Sequence, residues 1–179
     1  RGYVAAATLR GTVFALGGCK DLNCDTVLSS VEAVDLAAGA HWTLLAASMT
    51  TPRYYHAAAV LRGLIYAAGG SFNDNGGTLA SVERFDGGAH SAWATVPASM
   101  TTVRYGFALV ALEEGGAGVP PGGLLVAAGG CCGSYLSTLA SAEAFGPAAS
   151  NAAWAAIASM AAGRWYCAGA ALHGKAYVS

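Results

Sequence analysis

The sequence predicts an all-β chain assembled from repeated four-stranded antiparallel units. Marker residues recur in one order at a spacing near 50 residues, and every apolar run is short and closed by glycine or a turn. Charged residues make up only 11% of the chain, against about a quarter in ordinary globular proteins. The markers are Arg1, Arg53, Arg104 and Arg164, the diglycines Gly17-Gly18, Gly69-Gly70 and Gly129-Gly130, then Glu32, Glu83 and Glu143, Trp42, Trp93 and Trp154, and Met49, Met100 and Met160. A period of this length marks one supersecondary unit per repeat.

The second repeat shows the elements most plainly. Residues 56–61 read as a first strand and 64–68 as a second, joined by the tight Arg62-Gly63 turn. Gly69-Gly70 opens a glycine- and asparagine-rich loop without hydrophobic period. Residues 81–85 alternate as a third strand, Asp86-Gly87-Gly88 turns the chain, and Trp93 begins a fourth strand ending at Val96. A helix across the alanine-rich stretch fails, because diglycines and turns cut each apolar run below helical length. Small side chains suit inner strands that converge on an axis. Paired glycines allow positive φ and close approach to bare backbone, with the tryptophans expected to fill the gaps between adjacent sheets.

The diglycine after an apolar strand, the Val-Glu or Ala-Glu pair beyond it, the tryptophan that follows and the Met-x-x-x-Arg linker together resemble the kelch repeat. Tyr66 stands at the usual tyrosine position, replaced by Phe14 and Val126 in the neighbouring repeats. The resemblance covers essentially the whole chain and implies a β-propeller segment with one four-stranded blade per repeat. It places blade 1 at about 1–48, blade 2 at about 53–99, blade 3 at about 104–159 and half a blade at 164–179. The third repeat carries a nine-residue insertion within residues 113–123, whose prolines and glycines predict a surface loop. Kelch propellers close with more blades than this, so the expectation is a segment of a longer protein or part of an assembly that covers its apolar ends.

Function is less legible. A net charge of -1 gives no footprint for nucleic acid, and no apolar run reaches the length of a membrane helix. The linkers and diglycine loops share one face of a propeller, which gathers Arg1, Tyr3, Arg53, Tyr54, Tyr55, Arg104, Tyr105, Arg164, Trp165, Asn73, Asn75 and Tyr135. Such an arginine and aromatic ring suits an acidic peptide. The same arginines recur in kelch repeats whatever they bind, and a structural role bonding carbonyls between blades is the favoured reading of them. The resemblance implies a non-catalytic module for a protein or peptide partner, or for neighbouring subunits of a larger assembly. Scaffolds and ubiquitin-ligase substrate adaptors are examples; no cofactor is implied, and a cytoplasmic location is expected, with secretion left open.

Glu32, Glu83 and Glu143 read as solvated edge charges, one per blade. The five cysteines match no zinc spacing and read as free thiols, the alternative being a Cys19–Cys24 loop disulfide in a secreted protein. The second functional reading is a galactose-oxidase-type copper enzyme. Tyr55-His56 resembles that family's Tyr-His pair and Cys167 its cross-linked cysteine, a donor set suited to copper.

Overall fold

The inner hairpins turn on dipeptides in which both residues adopt positive φ, the geometry that matches the twist of paired strands. β1 (Ala5–Leu9) and β2 (Thr12–Leu16) meet at Arg10-Gly11, with φ of 50° and 81°. β5 (Ala57–Leu61) and β6 (Leu64–Ala68) meet at Arg62-Gly63, with 52° and 72°. β13 (Gly169–Leu172) and β14 (Lys175–Val178) meet at His173-Gly174, with 49° and 73°. In the third repeat the insertion replaces this turn between β9 (Ala108–Leu112) and β10 (Leu124–Ala128).

The outer strands complete three antiparallel sheets: β3 (Val31–Asp35) and β4 (Thr43–Leu44), β7 (Val82–Phe85) and β8 (Ala94–Thr95), and β11 (Ala142–Phe145) and β12 (Trp154–Ile157). Each sheet runs in sequence order as a meander, while β13 and β14 form a two-stranded sheet. The computed structural model describes residues 1–21, 23–39, 41–73, 77–133 and 137–179, and none of these is helical. The first strands β1, β5, β9 and β13 pack against one another in turn, so the sheets stack around a common axis.

Two cores cement the stack. One joins Phe14, Leu16 and Val31 of the first sheet to Ile65, Phe85 and Trp93 of the second. The other joins Leu61, Tyr66 and Val82 of the second to Leu109, Leu125, Phe145 and Trp154 of the third. The tryptophans thus reach back toward the preceding sheet, stacked on Phe85 and Phe145 at 5.2 and 5.3 Å. Trp42 meets no preceding sheet among the described residues and is 54% exposed, so in this structure the expectation that all three indoles fill gaps holds for two.

The diglycines admit the linker of the next blade. A Cβ on Gly69, whose φ is +60°, would lie 2.5 Å from the Arg104 carbonyl, 2.8 Å from the Phe107 ring and 3.0 Å from the Met100 methyl. An aromatic ring and the marker methionine, rather than an indole, therefore lie against the bare backbone. Gly70 and Gly130 then donate to the carbonyls of Arg104 and Arg164, each at 2.8 Å, which ties every blade to the linker that follows it.

The cysteine reading also changes. Cys19 and Cys24 form a disulfide, with Cα atoms 4.9 Å apart, while Cys131, Cys132 and Cys167 remain thiols. The loop after Gly18 brings Cys24 back beside Cys19, both buried against Tyr54, so the pair is placed for bonding rather than dispersed.

Candidate functional site

The linker arginines bond carbonyls in the structural role that the sequence favoured, and they form one unit with the third-strand glutamates. Arg53 donates from Nη2 to Glu83 Oε1 at 2.8 Å, from Nη1 to the carbonyls of Gly69 and Ser81 at 2.9 and 3.1 Å, and from Nη2 to Ser81 Oγ at 2.9 Å. Arg104 repeats the pattern with Glu143, Gly129 and Ser141. Glu83 also accepts from Thr50 N at 2.6 Å, from the Thr50 hydroxyl and from Thr51 N. Burial pushes the Glu83 carboxyl up, but the bonds from Thr50 and Arg53 outweigh it and hold the group below the usual carboxylate range.

The glutamates are therefore not solvated edge charges: Glu83 and Glu143 are buried, because each must bridge the preceding linker to its own blade's arginine. Arg53 and Arg104 are likewise buried and committed, and they cannot meet a ligand. Their side chains bond carbonyls within one blade; the main chain makes the bond between blades. Arg1 pairs with Glu32 in a more exposed version of the same arrangement.

What the linkers do present lies two and three residues beyond each arginine. Tyr3, Tyr55, Gly106 and Tyr166 all take left-handed φ, of 52°, 53°, 59° and 54°. Three tyrosines in that region carry real backbone strain, and the cause is visible. Tyr55 N donates to Tyr3 O at 3.2 Å, Gly106 N to Tyr55 O at 2.8 Å and Cys167 N to Gly106 O at 3.2 Å. The twisted backbone passes a hydrogen bond from each linker to the next around the mouth of the stack.

The same turn gathers the rings. Tyr55 lies 4.1 Å from Tyr3 and 5.3 Å from Tyr166 between centroids, and its hydroxyl accepts from the Tyr166 hydroxyl at 2.9 Å. Burial, then the bonds to Tyr166 and Tyr3, push the Tyr55 phenol up, so it stays protonated. Gly106 takes the fourth ring's place. These residues, with Val4, His56, Phe107 and Cys167, line a cavity of about 410 Å³ that carries no formal charge. His56 is enclosed, with neither imidazole nitrogen partnered among the described residues. Burial, and then the Arg53 cation, push its pKa down to about 3.

The remaining predicted residues divide. Tyr54 is buried and donates to the Asn73 carbonyl, while the Asn73 side chain closes its own loop on Gly77 N. Tyr105 is buried, and Trp165 packs on Tyr166 at 4.2 Å. Asn75 and Tyr135 lie outside the described residues. Val4, Gly106 and Phe107 are not among the residues the sequence singles out. Their signal was positional: each stands two or three places after a linker arginine.

Tyr55, His56 and Cys167, the copper reading's donors, do line one cavity. They do not make a metal site: Cys167 Sγ is turned to the Arg164 carbonyl at 3.4 Å, both His56 nitrogens are buried, and among the described residues no three His, Cys, Asp or Glu side chains group as ligands.

Four-stranded meanders stacked by their first strands, with a linker ring at one mouth, define a β-propeller segment. Within it, residues 52–86 match the Kelch motif. No curated protein matches the sequence. Among solved structures the chain is similar to YjhT, at a TM-score of 0.77 and 14% identity. The likeness covers 95% of this chain and 56% of YjhT, so the chain spans just over half that protein's length and shares its fold.

Proposed function

We propose that the chain is a non-catalytic interaction module that docks a protein or peptide at the linker mouth. The observation that carries this reading is the uncharged aromatic cavity held by Tyr3, Tyr55 and Tyr166 in strained, left-handed backbone. Rigid tyrosines give contact area at low entropic cost and a hydroxyl for orientation, which is why they anchor recognition surfaces. With Arg53 and Arg104 withdrawn into buried pairs, an acidic ligand loses its basis. The cavity suits an apolar or aromatic side chain with one hydrogen-bonding group. The Cys19–Cys24 bond supports an oxidising compartment over the cytoplasm.

Panning a displayed random-peptide library on the purified chain tests the reading. Selected peptides are expected to lose about tenfold or more in affinity with Tyr55→Ala or Tyr166→Ala. Leu36→Ser, on an exposed residue in the turn after β3, is expected to leave binding unchanged. Peptides indifferent to both tyrosines would place recognition elsewhere.

A further inference from the structure

The second sheet departs from its neighbours at the end opposite the linker mouth. Tyr66 of β6 stands directly across from Arg84 of β7. The matching pairs are Phe14 with Ala33 in the first sheet and Val126 with Ala144 in the third. Arg62, in the turn before β6, belongs to the same end. These three, with Leu64 and with Pro147 and Ala148 from the turn after β11, line a cavity of about 210 Å³ in the seam between the second and third sheets. Both of those sheets have all four strands, and a further sheet packs beyond each of them.

The insertion of the third repeat closes one side of this seam. A Cβ on Gly122 would lie 3.0 Å from Arg62 Nη1 and would also run into the Ala148 side chain, so only bare backbone passes there. The carboxylates nearby are occupied elsewhere. Glu114 accepts from Gly122 N at 2.8 Å, Asp86 accepts from Gly88 N at 2.8 Å, and Glu113 faces the main-chain N of Arg62 at 3.5 Å. The ion pairs among the described residues join other arginines, which leaves the Arg62 and Arg84 guanidiniums without a carboxylate. Tyr66 is buried between them. Burial pushes its phenol up, against the pull of Arg84 and then of Arg62, so the hydroxyl keeps a proton to donate.

We propose that this seam binds a tetrahedral oxyanion, the phosphate or sulfate group of a monoester. The two guanidiniums take its oxygens, the Tyr66 hydroxyl donates a further bond, and Leu64 and Pro147 hold the carbon side of the ester. Planar guanidinium forks match such oxygens in geometry as well as charge. At about 210 Å³, against about 30 Å³ for a water, the cavity holds the oxyanion and part of the group that it esterifies. The second sheet alone brings a tyrosine and two arginines to this end, so the site is single along the stack. The inference is independent of the mouth: it uses none of the residues that line it.

The test titrates inorganic phosphate, phenyl phosphate, phenyl sulfate and acetate into the nitrogen-15-labelled full chain at constant ionic strength, following the arginine Nε–Hε signals by NMR. Saturable shifts of Arg62 and Arg84 are expected with the esters, and the tighter of the two shows whether phosphate or sulfate is the natural group. Arg84→Ala is expected to weaken binding about tenfold or more, and Tyr66→Phe about threefold. Each change installs the residue that another repeat already carries, Ala33 or Phe14, so the fold is expected to stay intact. Arg10→Gln, in the matching turn of the first sheet, is expected to change binding by less than about twofold. Shifts that never saturate, the mark of an adventitious ion only, would overturn the proposal. So would acetate binding as tightly as the esters, or Arg10→Gln costing as much as Arg84→Ala.

Discussion

Removing one arginine distinguishes the architectural reading of the linker ladder from the ligand-binding one. In Arg53→Ala, Glu83 stays 1% exposed and loses its cation, while the carbonyls of Gly69 and Ser81 lose donors. Thr50 and Thr51 still donate to the carboxylate, so it keeps part of its stabilisation. Breaking a buried pair from one side costs about 3–5 kcal/mol. For a chain of this size that lowers Tm by about 6–20 °C. Arg1→Ala is the internal control. Its pair with Glu32 has side chains 16% and 36% exposed, and after allowance for solvent screening the loss is under about 1 kcal/mol. Urea and thermal melts of the two variants measure the contrast directly. Equal losses in both would refute the reasoning. So would an Arg53→Ala protein of unchanged stability that no longer binds mouth-selected peptides, because the arginine would then be a ligand group.

Further outcomes follow from the same contacts. His56 has a folded-state pKa near 3, so on acidification the unfolded chain takes the proton first. Stability is then expected to fall by about 1.4 kcal/mol per pH unit below about 6.5, and His56→Leu to flatten that slope down to about pH 5 in urea melts. Glu83 adds a second loss only below the usual carboxylate range, as its depressed group is protonated. Reducing the Cys19–Cys24 bond, which closes a short loop, is expected to cost about 2 kcal/mol. Thiol titration of the unreduced, denatured chain is expected to find the three thiols Cys131, Cys132 and Cys167, and five thiols there would refute the bond. Trp93→Ala, at an inter-sheet core, is expected to cost about 3–5 kcal/mol. Trp42→Ala is expected to stay within about 1 kcal/mol, with equal losses contradicting the packing direction.

The strands were legible because their signals are local. Turn dipeptides such as Arg62-Gly63 and the lengths of the apolar runs place β5 and β6 to within a residue. The glutamates were misplaced because polarity on a third strand looks the same from sequence whether solvent or a neighbouring linker satisfies it. Only the three-dimensional approach of Thr50 and Arg53 to Glu83 decides the matter. The diglycine neighbours were only partly legible for a related reason. A positive φ is readable from Gly69, but which side chains fill the space is not, and the Phe107 ring and Met100 methyl share it.

The ladder itself explains why function was the harder inference. A residue that recurs in every blade serves what every blade needs: the arginine ties the glutamate, the glycine admits the next linker, and the methionine fills the seam. Recognition needs asymmetry, because a single ligand does not meet identical faces at each blade. On the proposed binding role, the positions that break the repeat are where a ligand would be distinguished. At the mouth these are Gly106 among three tyrosines, and Val4, His56, Phe107 and Cys167 at one equivalent position. Gly106→Tyr tests this point. Its φ of +59° is one that Tyr3, Tyr55 and Tyr166 already tolerate, and a Cβ there meets Tyr166 N at an ordinary 3.4 Å. The change is expected to keep the fold, costing about 1–2 kcal/mol for the left-handed backbone, while a fourth ring crowds the cavity. Mouth-selected peptides are expected to lose about tenfold or more in affinity, with Tm lowered by only about 2–8 °C. Undiminished binding would mean that the gap in the ring is incidental and that the ligand rests on some other face.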